Sequence, residues 1–238
     1  MTPRHALRNL YLLLAALLLG CLLQAEEELD KDTSRLVRRS EKLANSLVDI
    51  QSKETSMIPP AVMQKAKGLI ILKQYEAGVI FGAKGGFGVA LRRTPDGSWS
   101  PPAWIKTGEI SGGLQLGAQK LNVVLIIMND DGLKMLNKAK FKIGVDATVT
   151  RGPTGANYES NMSDVADIFA YTVNEGYYAG ATFEGGVLLP DRRSNEVSYQ
   201  RRLEISEILA SDSLESPFFF ERTLKLLGEI ESGSSDEF

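Results

Sequence analysis

The 238-residue sequence has one histidine, His5, and one cysteine, Cys21, both close to the N-terminus. Beyond that end the chain holds neither imidazole nor thiol. This excludes the Ser-His-Asp triad, the Cys-His pair, His/Cys zinc sites and any structural disulfide from the folded body. Carboxylate, lysine or tyrosine chemistry is what remains for an enzyme, and no pair of acids presents itself for it. Asp130-Asp131 reads as a helix start favoured by the macrodipole. Asp146, followed by Ala147 and Thr148, lacks the alternating oxygen ligands of a calcium loop. Asp164 and Asp167 fall in a polar loop. The chain therefore reads as a non-enzyme without cofactor or metal.

Positive charge is also scarce. The formal net charge is −3, and residues 1–20 carry Arg4 and Arg8 but no acid. Cleavage before Cys21 would leave 25 bases against 30 acids, a net of −5. Nucleic acid is a poor partner for such a body, since its affinity comes largely from phosphate neutralisation. Contact with an anionic surface requires a local basic patch.

No apolar run is long enough to span a bilayer. The longest, Leu10 to Leu23, has 14 residues, against the ~20 that a transmembrane helix needs. Arg4, His5 and Arg8 precede it, and Gly20-Cys21 follows Leu18-Leu19, the order of a secretory signal. Leu18-Leu19-Gly20-Cys21 resembles a bacterial lipobox, which makes residues 1–20 a signal peptide and Cys21 an acylated anchor. An ordinary cut after Ala25, discarding Cys21, is the other reading. The expected location is thus an exported, membrane-anchored lipoprotein, or else a periplasmic or secreted soluble protein.

What is present is 43% hydrophobic residues, enough for one core. Residues 21–32 form a charged linker, Glu26 to Lys31 at its centre. From Asp32, with Thr33 or Ser34 as cap, Leu36, Leu43, Leu47 and Ile50 recur at helical spacing. Arg35, Arg38, Arg39 and Lys42 fall at i, i+3, i+4 and i+7, which makes them neighbours on one helix surface. Such a row is usually a solvated face; here it follows the anchor closely and is a candidate contact for acidic headgroups. Pro59-Pro60 ends this region, and Pro60 opens a short turn through Ala66.

Strands are expected at Leu69–Leu72, along the glycine-rich Gly78–Leu91, and at Gly113–Leu116, Val123–Met128, Ile143–Thr150, Ile168–Thr172 and Tyr177–Leu188. Pro95-Asp96-Gly97 marks a turn, and Asp130 to Lys138 a short helix. Leu203–Leu227 is helical again, broken near Pro217. Helices flanking a block of glycine-rich strands predict α+β architecture: a strongly curved, largely antiparallel sheet or barrel with helices at both ends.

Gly82-Ala-Lys84-Gly85-Gly86-Phe87-Gly88 is no phosphate loop, because it lacks GK[ST] and leads into a strand instead of a helix. Its glycines suit a bent strand pair. Arg151-Gly152-Pro153-Thr154-Gly155 is a turn with a guanidinium at its edge, either a hairpin end or a cation offered to an anion. Of the aromatics Trp99, Trp104, Tyr177, Tyr178 and Phe218–Phe220, most are expected in the core; the Phe triplet after Pro217 is hardest to bury and is a candidate for lipid or partner contact.

Several blocks, in order, resemble the SYLF-domain family, also called the Ysc-type actin-binding domain. They are Ala66-Lys-Gly-Leu-Ile-Ile71, Gly78-Val-Ile-Phe-Gly-Ala-Lys-Gly-Gly-Phe-Gly88, Asp96-Gly-Ser-Trp-Ser-Pro-Pro-Ala103, Gly112-Gly-Leu-Gln-Leu-Gly-Ala-Gln119, Phe141-Lys-Ile-Gly-Val-Asp-Ala-Thr-Val-Thr-Arg-Gly-Pro-Thr-Gly155, Tyr171-Thr-Val-Asn-Glu-Gly-Tyr-Tyr-Ala-Gly180 and Glu184-Gly185. The similarity covers residues 35–228, within a domain taken as 33–228 and followed by a tail, 229–238. It implies a module that binds phosphoinositide or another anionic lipid, with actin bound by some eukaryotic members, and a lipoprotein signal like that of bacterial members. The chain departs from the family at Lys73, where members carry Pro, and at Glu76, where many carry Lys, which leaves Lys73 or Lys84 to supply the cation. The expected headgroup contacts are Arg35, Arg38, Arg39 and Lys42, with Lys84 and Arg151 beside them. The expected partner is anionic membrane lipid; an envelope protein or actin is the alternative.

Overall fold

The computed structural model describes residues 29–78, 82–111, 117–138, 140–143, 147–154, 166–175 and 186–234. Helix α1 runs over 29–51 and buries Leu36, Leu43, Leu47 and Ile50 completely, the stripe expected from their spacing. It begins earlier than the sequence suggests. Thr33 caps nothing; its hydroxyl donates to the Leu29 carbonyl one turn back, at 2.9 Å. Leu29, Asp30 and Lys31 are already helical, upstream of the expected cap. Pro60 then starts α2, Pro60–Lys65, at a position where its missing N–H costs nothing.

Eight strands follow: β1 Gly68–Gly78, β2 Gly82–Arg92, β3 Ala103–Ser111, β4 Gly117–Ile127, β5 Phe141–Ile143, β6 Val149–Arg151, β7 Ile168–Glu175 and β8 Gly186–Pro190. They form one sheet in the order β5-β8-β3-β2-β1-β4-β7-β6, antiparallel throughout except for the β6–β7 pair. Helix α3, Asp130–Lys134, leaves β4 with Asn129 as its cap. After β8 come α4 Arg192–Tyr199, α5 Ile205–Leu209, a 3₁₀ turn at Phe218–Phe220 and α6 Glu221–Ser232.

One expectation about strands fails. Ile143–Thr150 is not one strand: β5 ends at Ile143 and pairs with β8, whereas β6 starts at Val149 and pairs with β7. These are the opposite edges of the sheet. The six Cα steps from Ile143 to Val149 reach at most ~21 Å. The edges of a flat eight-stranded sheet would lie ~33 Å apart. The sheet must therefore curl, and it does so as a half-barrel. Tyr177–Leu188 begins outside the described residues, and its described part starts at Gly186. Gly113–Leu116 lies outside them altogether.

Alternation places Leu69, Ile71, Val89, Trp104, Val124 and Tyr171 against α1, α2 and α6. Ile70, Leu72, Ala90, Ile105, Val123 and Leu125 face the other way, toward Phe141, Leu188 and α5. Both faces of the central strands are thus buried.

Candidate binding surfaces

The row on α1 divides. Arg35, Arg38 and Lys42 are exposed, and Arg38 and Lys42 have no carboxylate partner among the described residues. Arg35 pairs with Asp32 at 3.0 Å, and Asp32 also accepts from Arg193 of α4 at 2.9 Å. A guanidinium 161 residues away thus joins the same surface. Arg39 lies on the flank of the row nearest the core stripe and turns inward. It is only 20% exposed, stacks over Phe87 at 4.5 Å and Trp104 at 5.4 Å, and donates to Asp191 at 3.2 Å and Ser194 at 3.1 Å. Its stem and charge are absorbed by packing. Neighbours at helical spacing share a surface, but the border between core and solvent runs through this one.

Lys84 also faces inward. It lies directly across from Glu76 on β1 and pairs with it at 3.4 Å, each side chain only 8% exposed. Gln74 and Gln119 donate to the same carboxylate. Two of the residues that distinguish this chain from its family pattern are thereby tied into the fold. Glu76 carries the Lys84 pair. Lys73, on the α1 side of the sheet, donates to Asn122 at 2.8 Å, and Asn122 in turn accepts from Ser46 at 2.9 Å and donates to Asp49 at 2.7 Å. This buried chain of polar groups pins α1 to β1 and β4.

Arg151 closes β6 and donates to the Thr55 carbonyl, 3.0 Å away in the turn after α1. It lines a cleft with Lys53, a cation that sequence spacing could not associate with it. Trp104, Phe219 and Phe220 are core residues in contact with one another, whereas Phe218 is 70% exposed. Tyr177, Tyr178 and Cys21 lie outside the described residues.

Among the described residues no cluster of His, Cys, Asp and Glu could hold a metal ion, and no helix is long and apolar enough to cross a membrane. What the surfaces offer is charge and shape for binding: a cationic strip on α1 and α4, an exposed phenylalanine, and a cationic cleft at the β6 edge.

The family model described as "Las17-binding protein actin regulator" matches residues 108–229, just over half of the 238. SH3 domain-containing YSC84-like protein 1 of Bos taurus is 33% identical over 180 residues, covering 74% of this chain and 53% of the relative. Its Homo sapiens counterpart is 32% identical over 181 residues, with the same coverages. LAS seventeen-binding protein 3 of Saccharomyces cerevisiae is 32% identical over 148 residues, covering 60% of this chain and 32% of the relative. The chain spans about half the length of the first of these relatives. No solved structure matches. With its motif blocks, its curled sheet and a model match running from β3 to α6, this chain belongs to the Ysc84 (SYLF) family.

Proposed function

We propose that this chain is a non-catalytic binding module that docks a protein partner, of the actin-regulatory kind named in its relatives, through the outward face of α1 and α4. The observation that carries this reading is the family match, whose description and relatives name Las17 binding and actin regulation. The exposed Arg35, Arg38 and Lys42, with Arg193 beside them, supply the surface. If Cys21 is acylated, the partner met in place is an envelope protein, and actin is reached only on delivery into a host cell. Cosedimentation of residues 26–238, which contain every described element, with actin filaments tests it. Binding should weaken several-fold when Arg38 and Lys42 are changed together to Glu. Filaments that leave the protein in the supernatant would remove actin as partner.

A second reading, contact with anionic lipid, draws on the same exposed Arg38 and Lys42. Basic residues near an acidic bilayer contribute ~1 kcal/mol each. Flotation of residues 26–238 with acidic but not neutral vesicles would favour it. Mass spectrometry of the mature N-terminus would show whether Cys21 is acylated or the cut lies after Ala25.

A further inference from the structure

Among the described residues two large hydrophobic side chains stand exposed, Leu29 at 48% and Phe218 at 70%. Phe218 is also rigidly presented. Pro217, with φ −56°, fixes the entry to the 3₁₀ turn, whose second and third residues, Phe219 and Phe220, are buried. The Phe218 ring meets that of Phe219 edge to face, with 5.3 Å between centroids, and Phe219 in turn packs 6.3 Å from Trp104. A ring held out from so fixed a base loses little freedom when a partner closes over it.

Charge surrounds the ring unevenly. Arg222, one turn beyond Phe218, donates to Glu41 at 2.9 Å and Asn45 at 2.7 Å on the outer side of α1. At its other end α6 reaches α2, where Gln64 donates to the Glu231 carbonyl at 2.9 Å. The two helices therefore run side by side in the same sense, and Phe218 falls level with the Arg38 turn of α1. Trp104 gives the same placement, since it meets Phe219 and also the Arg39 guanidinium, 5.4 Å from its ring. Arg38 and Lys42 thus border Phe218 toward α1, both exposed and with no carboxylate partner among the described residues. Glu221 lies ~100° around α6 from Arg222. The residue on the other side of Arg222, Thr223, is buried, so Glu221 points outward and away from α1, and it is exposed. The rim is basic on one side of the ring and acidic on the other.

We propose that Phe218 is the anchor of the docking surface: it enters an apolar pocket on a protein partner, edged by acids where it meets Arg38 and Lys42 and by a cation or hydrogen-bond donor where it meets Glu221. This rests on the reading of α1 and α4 as a docking face, extends that face to the start of α6, and names the residue on which its affinity turns. Aromatic rings are enriched in the dry centre of interfaces, and a few such residues carry most of the binding energy. Charges at the rim steer and orient the partner more than they hold it. An acidic bilayer matches only the basic half of this rim and repels Glu221, whereas a protein surface can present both signs.

The test uses the full chain carrying Cys21→Ser in non-ionic micelles, with actin filaments as the probe and cosedimentation as the readout. Phe218→Ala should raise Kd ~30-fold. Because the ring is exposed, its unfolding midpoint should stay within ~2 °C of the parent. Leu29→Ala, which removes the other exposed apolar side chain, should bind as the parent does. Added salt should weaken the parent and Phe218→Ala by the same factor, since the ring carries no charge, and Arg38→Glu/Lys42→Glu by less. A parent that binds, with Phe218→Ala binding equally well, overturns the anchor and leaves the docking face standing. A parent that stays in the supernatant removes the docking reading itself, and the anchor with it. If Phe218→Ala keeps its filament binding but loses vesicle flotation or a cross-linked dimer, the ring belongs to a bilayer or to a second copy, and the proposal is again overturned.

Discussion

Single residues decide which cations of this chain are structural and which are available. Arg39 and Arg38 are adjacent in sequence and opposite in role. Arg39→Ala removes two ring contacts and leaves the mostly buried Asp191 without its guanidinium, so urea unfolding should report a loss of ~2–3 kcal/mol. Arg38→Ala should stay within ~0.5 kcal/mol of the parent. Equal effects would mean that the inward turn of Arg39 is wrong. Asp167 makes a different prediction. It accepts from the Thr148 N–H at 2.7 Å and the Asn129 amide at 2.9 Å, and these bonds hold its pKa below the usual aspartate value. A depressed carboxyl stabilises the fold above its unfolded pKa, and that contribution is lost as pH falls through the folded pKa. Denaturation midpoints measured at pH 5 and pH 3 should therefore converge in Asp167→Asn relative to the parent.

Elements depend on how closely their backbones approach. On β2, a Cβ at Gly88 would lie 2.2 Å from the Ile71 carbonyl and 2.6 Å from a Leu72 methyl. The carbonyl cannot move in a strand paired on both sides, so thermal melts of Gly88→Ala should show a loss of ~3 kcal/mol or no folded state. Gly108→Ala meets nothing within 4 Å and should be neutral in the same thermal melts. Glycines in a bent strand pair were legible as such, because a phosphate loop needs a helix that the following residues cannot make. Other elements were hidden. In β3, Trp104 packs toward the helices and Ile105 toward the opposite face, so burial on both sides erases the period-two signal. Helix α4 buries Ser194 and Asn195 in place of an apolar stripe. Its identity rests on the Asp191 cap and on Asn195 accepting the Trp104 N–H at 2.7 Å and donating to its carbonyl, bonds across 91 residues that no local pattern records.

At the scale of the whole molecule, the first and last described helices share one core. Phe220, Leu226, Leu227 and Ile230 are buried among residues of α1, α2 and the sheet. Each contributes ~1.5–3 kcal/mol by burial, and the four together match the ~5–15 kcal/mol that stabilises a typical domain. A chain ending at Pro217 should therefore lose cooperative unfolding and bind hydrophobic dye. A sharp melt retained by that truncated chain would show that α6 is an accessory. By itself, the sequence determined the α+β class, the core stripe of α1, the glycine-rich curvature and the family, because hydrophobic spacing, turn chemistry and motif order are local properties. Tertiary structure alone decided the split of Ile143–Thr150 between opposite sheet edges, the inward turns of Arg39 and Lys84, and the meeting of Lys53 with Arg151. Each of these depends on which distant segment lies opposite, and curling of the sheet settles that only once every strand is in place.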